Sequence, residues 1–297
     1  MFFYTVYVKI NIYIYLLSRK TYMIDFILQL LREHQIDLAA PINLKDCRIT
    51  RPYKLENVGF DGNSPLSAVI FAVPYLVPGI ERNISAYAVG RDYHGYFKEL
   101  FDTIVPALKE RFPENKFAGF SDDSPIDERL AAAKAGIGIL GENGLLITEK
   151  YSSYVFLGEM ITDLPLESSP IEPAHCSGCG KCIAACPKNE IGKCLSELTQ
   201  KKGELSAEEV SFIKKYGSAW GCDICQEVCP HTIKAKKEQT IYTNIDYFKN
   251  NCIPTLSAEL LCQMDDEEFQ KRAYSWRKRA TVLRNLKIIA HKDKSNE

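Results

Sequence analysis

Eleven cysteines stand in this chain, and eight of them fall between Cys176 and Cys229. The frame reads Cys176-x2-Cys179-x2-Cys182-x3-Cys186-Pro187, then Cys194, then Cys222-x2-Cys225-x3-Cys229-Pro230. Three thiolates two residues apart on a tight loop can take three corners of an iron–sulfur cube. The fourth cysteine, followed by proline, points away and serves the other cluster. On that logic one 4Fe–4S cluster takes Cys176, Cys179, Cys182 and Cys229, and the second takes Cys186, Cys194, Cys222 and Cys225. The competing arrangement is a pair of structural zinc sites with four thiolates each. Zinc frames seldom carry the third cysteine at this spacing, or the paired Cys-Pro endings, so the chemistry is read as single-electron transfer. Cys47, Cys252 and Cys262 lack partner spacing and read as small buried hydrophobes.

Two clusters side by side make a wire, and the acceptor must sit in the part of the chain that precedes them. From Met23 onward helices and strands alternate. Residues 24–34 predict a helix, IDLAAPI a short strand, and LSAVIFAVPY (66–75) a buried strand closed by prolines. Tyr93, Phe97, Leu100, Phe101, Ile104, Val105 and Leu108 share one face of a helix running to Arg111, with Pro106 expected to kink it. FAGF, GLLIT and residues 153–162 are further strands. SPIDERLAAAKAG predicts a helix capped by Ser124, with Pro125 at its first helical position, Asp127 in a capping-box-like pair and Gly136 at its end. The expected organisation is an α/β (α+β) domain over 23–170, a ferredoxin-like dicluster domain over 171–240 and a short helical tail over 241–297. Glycines at 136, 138, 141 and 144 would let backbone approach a flat cofactor, whereas no GxGxxG or Walker loop supports a nicotinamide or nucleotide-phosphate site.

Charge is balanced, with 37 basic and 38 acidic side chains among 297 residues, and 46% of residues are hydrophobic. That excludes wholesale disorder and a general coat of positive charge. Residues 2–17 are apolar, but they fall short of the ~20 a spanning helix needs, and Lys9 and Asn11 interrupt them. No small-residue cleavage site follows. The native chain is therefore expected to begin near Met23, with residues 1–22 a poorly conforming extension. Clustered cysteines in a chain with no membrane segment fit a cytoplasmic protein whose thiols stay reduced.

Taken together, YAVGRDYH (87–94), SDDSPIDERLAAAKAGIGILGENGLLI (121–147), SSYVFLGEMITDLPL (152–166), the eight-cysteine frame and WGCDICQEVCP (220–230) resemble the epoxyqueuosine reductase family. This family is related to corrinoid reductive dehalogenases. The resemblance spans most of residues 60–235. It implies a cobalamin-binding domain wired to two 4Fe–4S clusters, with cobalamin held without a lower axial ligand and reduced to nucleophilic cob(I)alamin. It further implies reduction of the epoxide of the queuosine precursor at the tRNA wobble position to queuosine, fed by an external low-potential electron donor. Asp122 aligns with the family's catalytic aspartate, the proton donor, with Asp123 its nearest rival. Tyr93 and His94 match a cofactor-facing segment, and Asn143, Gly144 and Ser153 match segments that hold the corrinoid. As bare sequence, these residues read equally as helix stripe, surface and turn.

There are departures. Glu142 stands where the family commonly has lysine, and the chain lacks the C-terminal helical repeats with which longer members grip tRNA; RNLKIIAHK resembles the stub of the first. RNA affinity is then assigned to Lys181, Lys188, Lys193, Lys201, Lys202, Lys214, Lys215, Arg277, Lys278, Arg279 and Arg284, against a solvated lysine surface as the alternative. The expected protein is a monomer. Two other functions compete: a corrinoid iron–sulfur reductase of a small molecule, and a dicluster electron carrier with an attached partner-binding domain.

Overall fold

The eight-residue stretch SAVIFAVP is apolar almost throughout, and it forms a strand whose every residue is buried, as a sheet covered on both faces requires. The protein is described from a computed structural model covering residues 22–61, 66–79 and 81–290, so nearly all of the expected extension lies outside the described residues. Helix α1 spans 22–33. It is followed by β1 (Leu38–Asn43), α2 (Tyr53–Asn57), β2 (Ser67–Pro74), α3 (Tyr93–Arg111) and β3 (Phe117–Phe120). Then come α4 (Glu128–Lys134), β4 (Ile139–Leu140), β5 (Leu146–Ile147) and β6 (Val155–Thr162).

The chain divides into two compact units, each made of separate stretches. The first takes residues up to Val73, Phe97–Leu140 and Phe156–His175. Its sheet has the order β1-β2-β6-β3. β1 runs antiparallel to β2, Leu38 facing Ala72, and β3 runs antiparallel to β6, Phe120 facing Glu159. Alternation along the chain therefore yields an α+β layer with antiparallel pairs. Helix α3 continues through Pro106 and buries Phe97, Leu100, Ile104 and Leu108. Two strand glycines make room for it. A Cβ on Gly119 would enter the Phe101 ring, and one on Gly158 would enter Phe97 and stand 2.7 Å from Phe71.

One expected cap is corrected. Helix α4 starts at Glu128, and its N-cap is Asp127, which accepts the Leu130 amide at 3.2 Å. Ser124 closes the preceding turn instead, accepting from the Ile126 amide at 3.1 Å. Two oxygen-bearing side chains competed for one cap, and the one adjacent to the first helical residue took it. Gly136 ends the segment at φ +79°.

The second unit takes Pro74–Tyr96, Gly141–Val155 and everything from Cys176. The expected boundaries near 170 and 240 thus do not delimit compact units. Stretch 74–96 joins the cysteine-rich part because its backbone is bonded there: Ser85 N–H donates to Trp220 C=O at 2.7 Å, and Asn83 brackets Leu256. Fully buried Trp220 donates its indole N–H to Tyr87 at 2.7 Å and packs with Leu261, Tyr274, Val282 and Leu286. Truncating such a side chain costs about 3–5 kcal/mol. The terminal helix Arg279–Ala290 is pinned by buried Asn285, whose amide donates to Thr199 C=O at 2.7 Å and Ala219 C=O at 2.9 Å. A small core of Leu195, Leu198, Phe212 and Ile213 lies beneath it, with Ile288 and Ile289 packed on top.

Candidate functional site

Short turns position the cysteines. Gly178 and Gly180, at φ +64° and +71°, turn the chain between Cys176, Cys179 and Cys182, a conformation that side chains resist. Cys229 is the N-cap of helix Pro230–Lys237, whose first position is the proline of the Cys-Pro pair. One cavity is lined by Cys176, Cys179, Cys182 and Cys229 together with Glu142, Asn143 and His231. Cys186 and Cys194 lie close enough to act electrostatically on Cys222, and Cys186 on Cys225. Burial pushes Cys222 up to about 11 and Cys225 up to about 12, so metal must displace protons there. Among the described residues no three Cys, His, Asp or Glu side chains form a group that could hold a single metal ion. A four-iron cube spreads its thiolates wider than one zinc with Zn–S bonds of about 2.3 Å. Four thiols around one cavity and four more in a second neighbourhood suit two such cubes.

Asp223, next to Cys222, anchors this loop. It is 8% exposed and accepts from Ala86 N–H at 2.7 Å, from the Ser85 hydroxyl and from Arg82 at 3.1 Å. Arg82 also meets Glu227 at 2.6 Å, and Glu227 accepts from Tyr154 O–H at 2.9 Å and from Lys236.

In the first unit, Asp122 is exposed and sits at φ +65°, a left-handed conformation costing about 1–2 kcal/mol for a residue with a Cβ. Its amide donates to Glu128 Oε1 at 2.8 Å. The neighbouring Asp123 carboxylate is engaged by Arg51 at 2.7 Å and by Lys54. Behind the turn, Glu159 is fully buried beside Glu128, and burial raises both carboxyls above the usual range.

The other expected contacts are distributed through the second unit. Exposed His94 holds Asp92 at 2.9 Å through Nδ1 and stacks on Tyr93 at 4.1 Å. Asn143 accepts the Leu145 amide at 3.2 Å, and Gly144, at φ +79°, donates to Gly141 C=O at 2.9 Å, which is turn chemistry on the rim of the cysteine cavity. Ser153 is buried with its hydroxyl on Gln226 at 2.9 Å. Arg91, in the same stretch as Tyr93, has a buried Nε without a hydrogen-bond partner. Several expected RNA-binding cations are already paired. Lys193 and Lys201 each meet Glu209 at 2.8 Å, Lys215 meets Glu190 at 2.7 Å, and Arg279 meets Asp266 at 2.9 Å. Arg284 donates to the carbonyls of Lys201 and Gly203.

Sequence reasoning overlooked Glu128, Glu159 and Asp223. An acid inside the apolar strand VFLGEMIT and an acid between two ligand-spaced cysteines were the available signals.

This arrangement defines an iron–sulfur protein of the dicluster type joined to an α+β unit, and residues 175–232 match the 4Fe-4S double cluster binding domain. The chain is 31% identical over 202 residues to an epoxyqueuosine reductase from Gloeobacter violaceus, covering 65% of this chain and 63% of that one. It is 31% identical over 213 residues to an epoxyqueuosine reductase from Synechocystis, covering 69% of this chain and 71% of that one. By these likenesses the chain belongs to the epoxyqueuosine reductase family. A crystal structure of epoxyqueuosine reductase with a tRNA-Tyr epoxyqueuosine-modified stem loop superposes with TM-score 0.63 at 24% identity, covering 90% of this chain and 81% of that one. At that identity the likeness speaks for the fold. Among the described residues no helix is long and apolar enough to cross a membrane.

Proposed function

We propose that this protein reduces epoxyqueuosine to queuosine at the wobble position of tRNA. Removal of the epoxide oxygen consumes two electrons and two protons, breaks both C–O bonds of the ring, forms a C=C double bond and releases water. The observation that carries the reading is the gathering of Cys176, Cys179, Cys182 and Cys229 about one cavity, in a chain of this family. Those four would hold one 4Fe–4S cluster, and Cys186, Cys194, Cys222 and Cys225 the other. When bound, the clusters supply single electrons and cobalamin supplies the low-potential centre that reduces the epoxide.

The remaining work falls to this chain's residues. The Arg91 Nε–H is an unused buried donor that an amide or phosphate oxygen of a corrinoid would satisfy, so the donor chemistry fits that group. Tyr93, His94, Asn143, Gly144 and Ser153 are the other candidate contacts. Asp122, which matches the family's catalytic aspartate, is the proton donor to the departing oxygen, and its rival Asp123 is held by Arg51 and Lys54. The solved relative's complex with a modified stem loop supports tRNA as the substrate class. The test is anaerobic reconstitution with iron, sulfide and cobalamin, followed by a low-potential reductant and an epoxyqueuosine-bearing stem loop. Conversion to queuosine is expected by mass spectrometry. A reducible corrinoid without conversion would refute the assignment.

A further inference from the structure

Glu159 lies in β6, fully buried, and neither of its carboxylate oxygens has a hydrogen-bond partner of normal geometry. The polar groups facing it are the Glu128 carboxyl at the start of α4 and the Ser124 hydroxyl. Glu128 in turn faces Asp122, whose amide it accepts at 2.8 Å, and Arg51. Cys47 also feels the charge of Glu159, together with those of Lys134 and Asp46. Two carboxyls facing each other away from water do not both ionise. Burial comes first among the causes raising each, so the pair holds one proton between them. With that proton on the enclosed Glu159, a Glu128 oxygen is left to accept the Asp122 N–H at 2.8 Å. The chain thereby links a buried strand to a backbone amide of the left-handed turn.

We propose that Glu128 and Glu159, sharing a single proton, are positioning residues that hold Asp122 in its left-handed turn and so fix where its carboxyl presents a proton. This rests on the reading of Asp122 as proton donor, but the latch itself can be measured without turnover. A merely structural acid pair behaves differently. Replacing a buried carboxyl of poor hydrogen bonding by an apolar group of similar size is neutral or stabilising for the fold. Glu159→Leu should therefore keep or raise the melting temperature while lowering the single-turnover rate on the stem loop. The loss of a hydrogen bond to a charged group makes that decrease roughly tenfold or more. KM, both clusters and cobalamin content should be unchanged. Glu159→Gln, whose amide offers Glu128 a donor without a titratable proton, should restore most of the rate.

Two readouts need no substrate. Infrared spectra of the wild type at neutral pH should show a protonated carboxylic acid band that Glu159→Leu and Glu159→Gln both lose. Hydrogen exchange over residues 120–124 should speed up in Glu128→Ala and Glu159→Leu. A wild type without that band, unchanged exchange, or a leucine variant as fast as wild type each overturns the proposal. Failure of the wild type to convert epoxyqueuosine would instead strike the functional reading, with infrared and exchange still deciding the latch.

Discussion

Asp223→Ala removes the residue that ties the Cys222–Cys225 loop to stretch 74–96. The carboxylate is nearly buried and holds Ala86 N–H, the Ser85 hydroxyl and two N–H groups of Arg82. Breaking a buried charge pair by deleting one partner costs about 3–5 kcal/mol. Arg82 keeps Glu227 at 2.6 Å, which places the loss at the low end, about 3 kcal/mol. The freed loop carries two of the thiols assigned to the second cluster, so the penalty should appear as lost metal as well as lost stability. Anaerobic urea titration should show a midpoint lowered in proportion, and iron analysis should fall from about eight to about four atoms per chain. Asp223→Asn, which keeps an acceptor for Ala86, should lie between the two. A full iron complement with an unchanged midpoint would show that the cysteine loop does not depend on this anchor.

Asp122→Asn should retain both clusters and cobalamin, because asparagine also tolerates the left-handed turn, yet slow turnover by about 10²-fold or more. Equal rates would remove the proton-donor role. Gly158→Ala should lower stability by about 1–3 kcal/mol, since its methyl would enter the Phe97 ring beside Phe71; a thermal melt matching wild type would contradict that packing. Stability should also depend on pH through Glu128, which burial lifts from 4.5 to about 7. The folded state then binds a proton that the unfolded chain releases, so stability falls as pH rises across that window, by at most roughly 3 kcal/mol. Glu128→Gln should flatten this slope relative to wild type, and parallel curves for the two would deny it.

Legibility in the sequence followed how local each signal was. The cysteine frame is a spacing code, and its first four expected partners line one cavity even though Cys229 lies 47 residues beyond Cys182. Strand β2 and helix α3 were plain from apolar runs and from period. The sheet order and the two-unit partition were not, because they depend on long-range backbone pairing such as Ser85 to Trp220, which leaves no local pattern. The cap of α4 was placed three residues early because Ser124 and Asp127 offer the same chemistry. The surface lysines could not be sorted, since pairing of Lys193 and Lys201 with Glu209 is a product of folding. Glu128 and Glu159 acquire meaning only when a helix start meets a strand.

The second unit draws stretches 74–96, 141–155 and the helix Arg279–Ala290 together: Trp220 bonds to Tyr87, Gln226 to Ser153, and Asn285 to Thr199 and Ala219. During synthesis the first two stretches emerge before the thiols, whereas the helix Arg279–Ala290 follows them. The core of Leu195, Leu198, Phe212 and Ile213, on which Cys222 also packs, is therefore covered last, and removing Ile288 and Ile289 would uncover it beside that thiol.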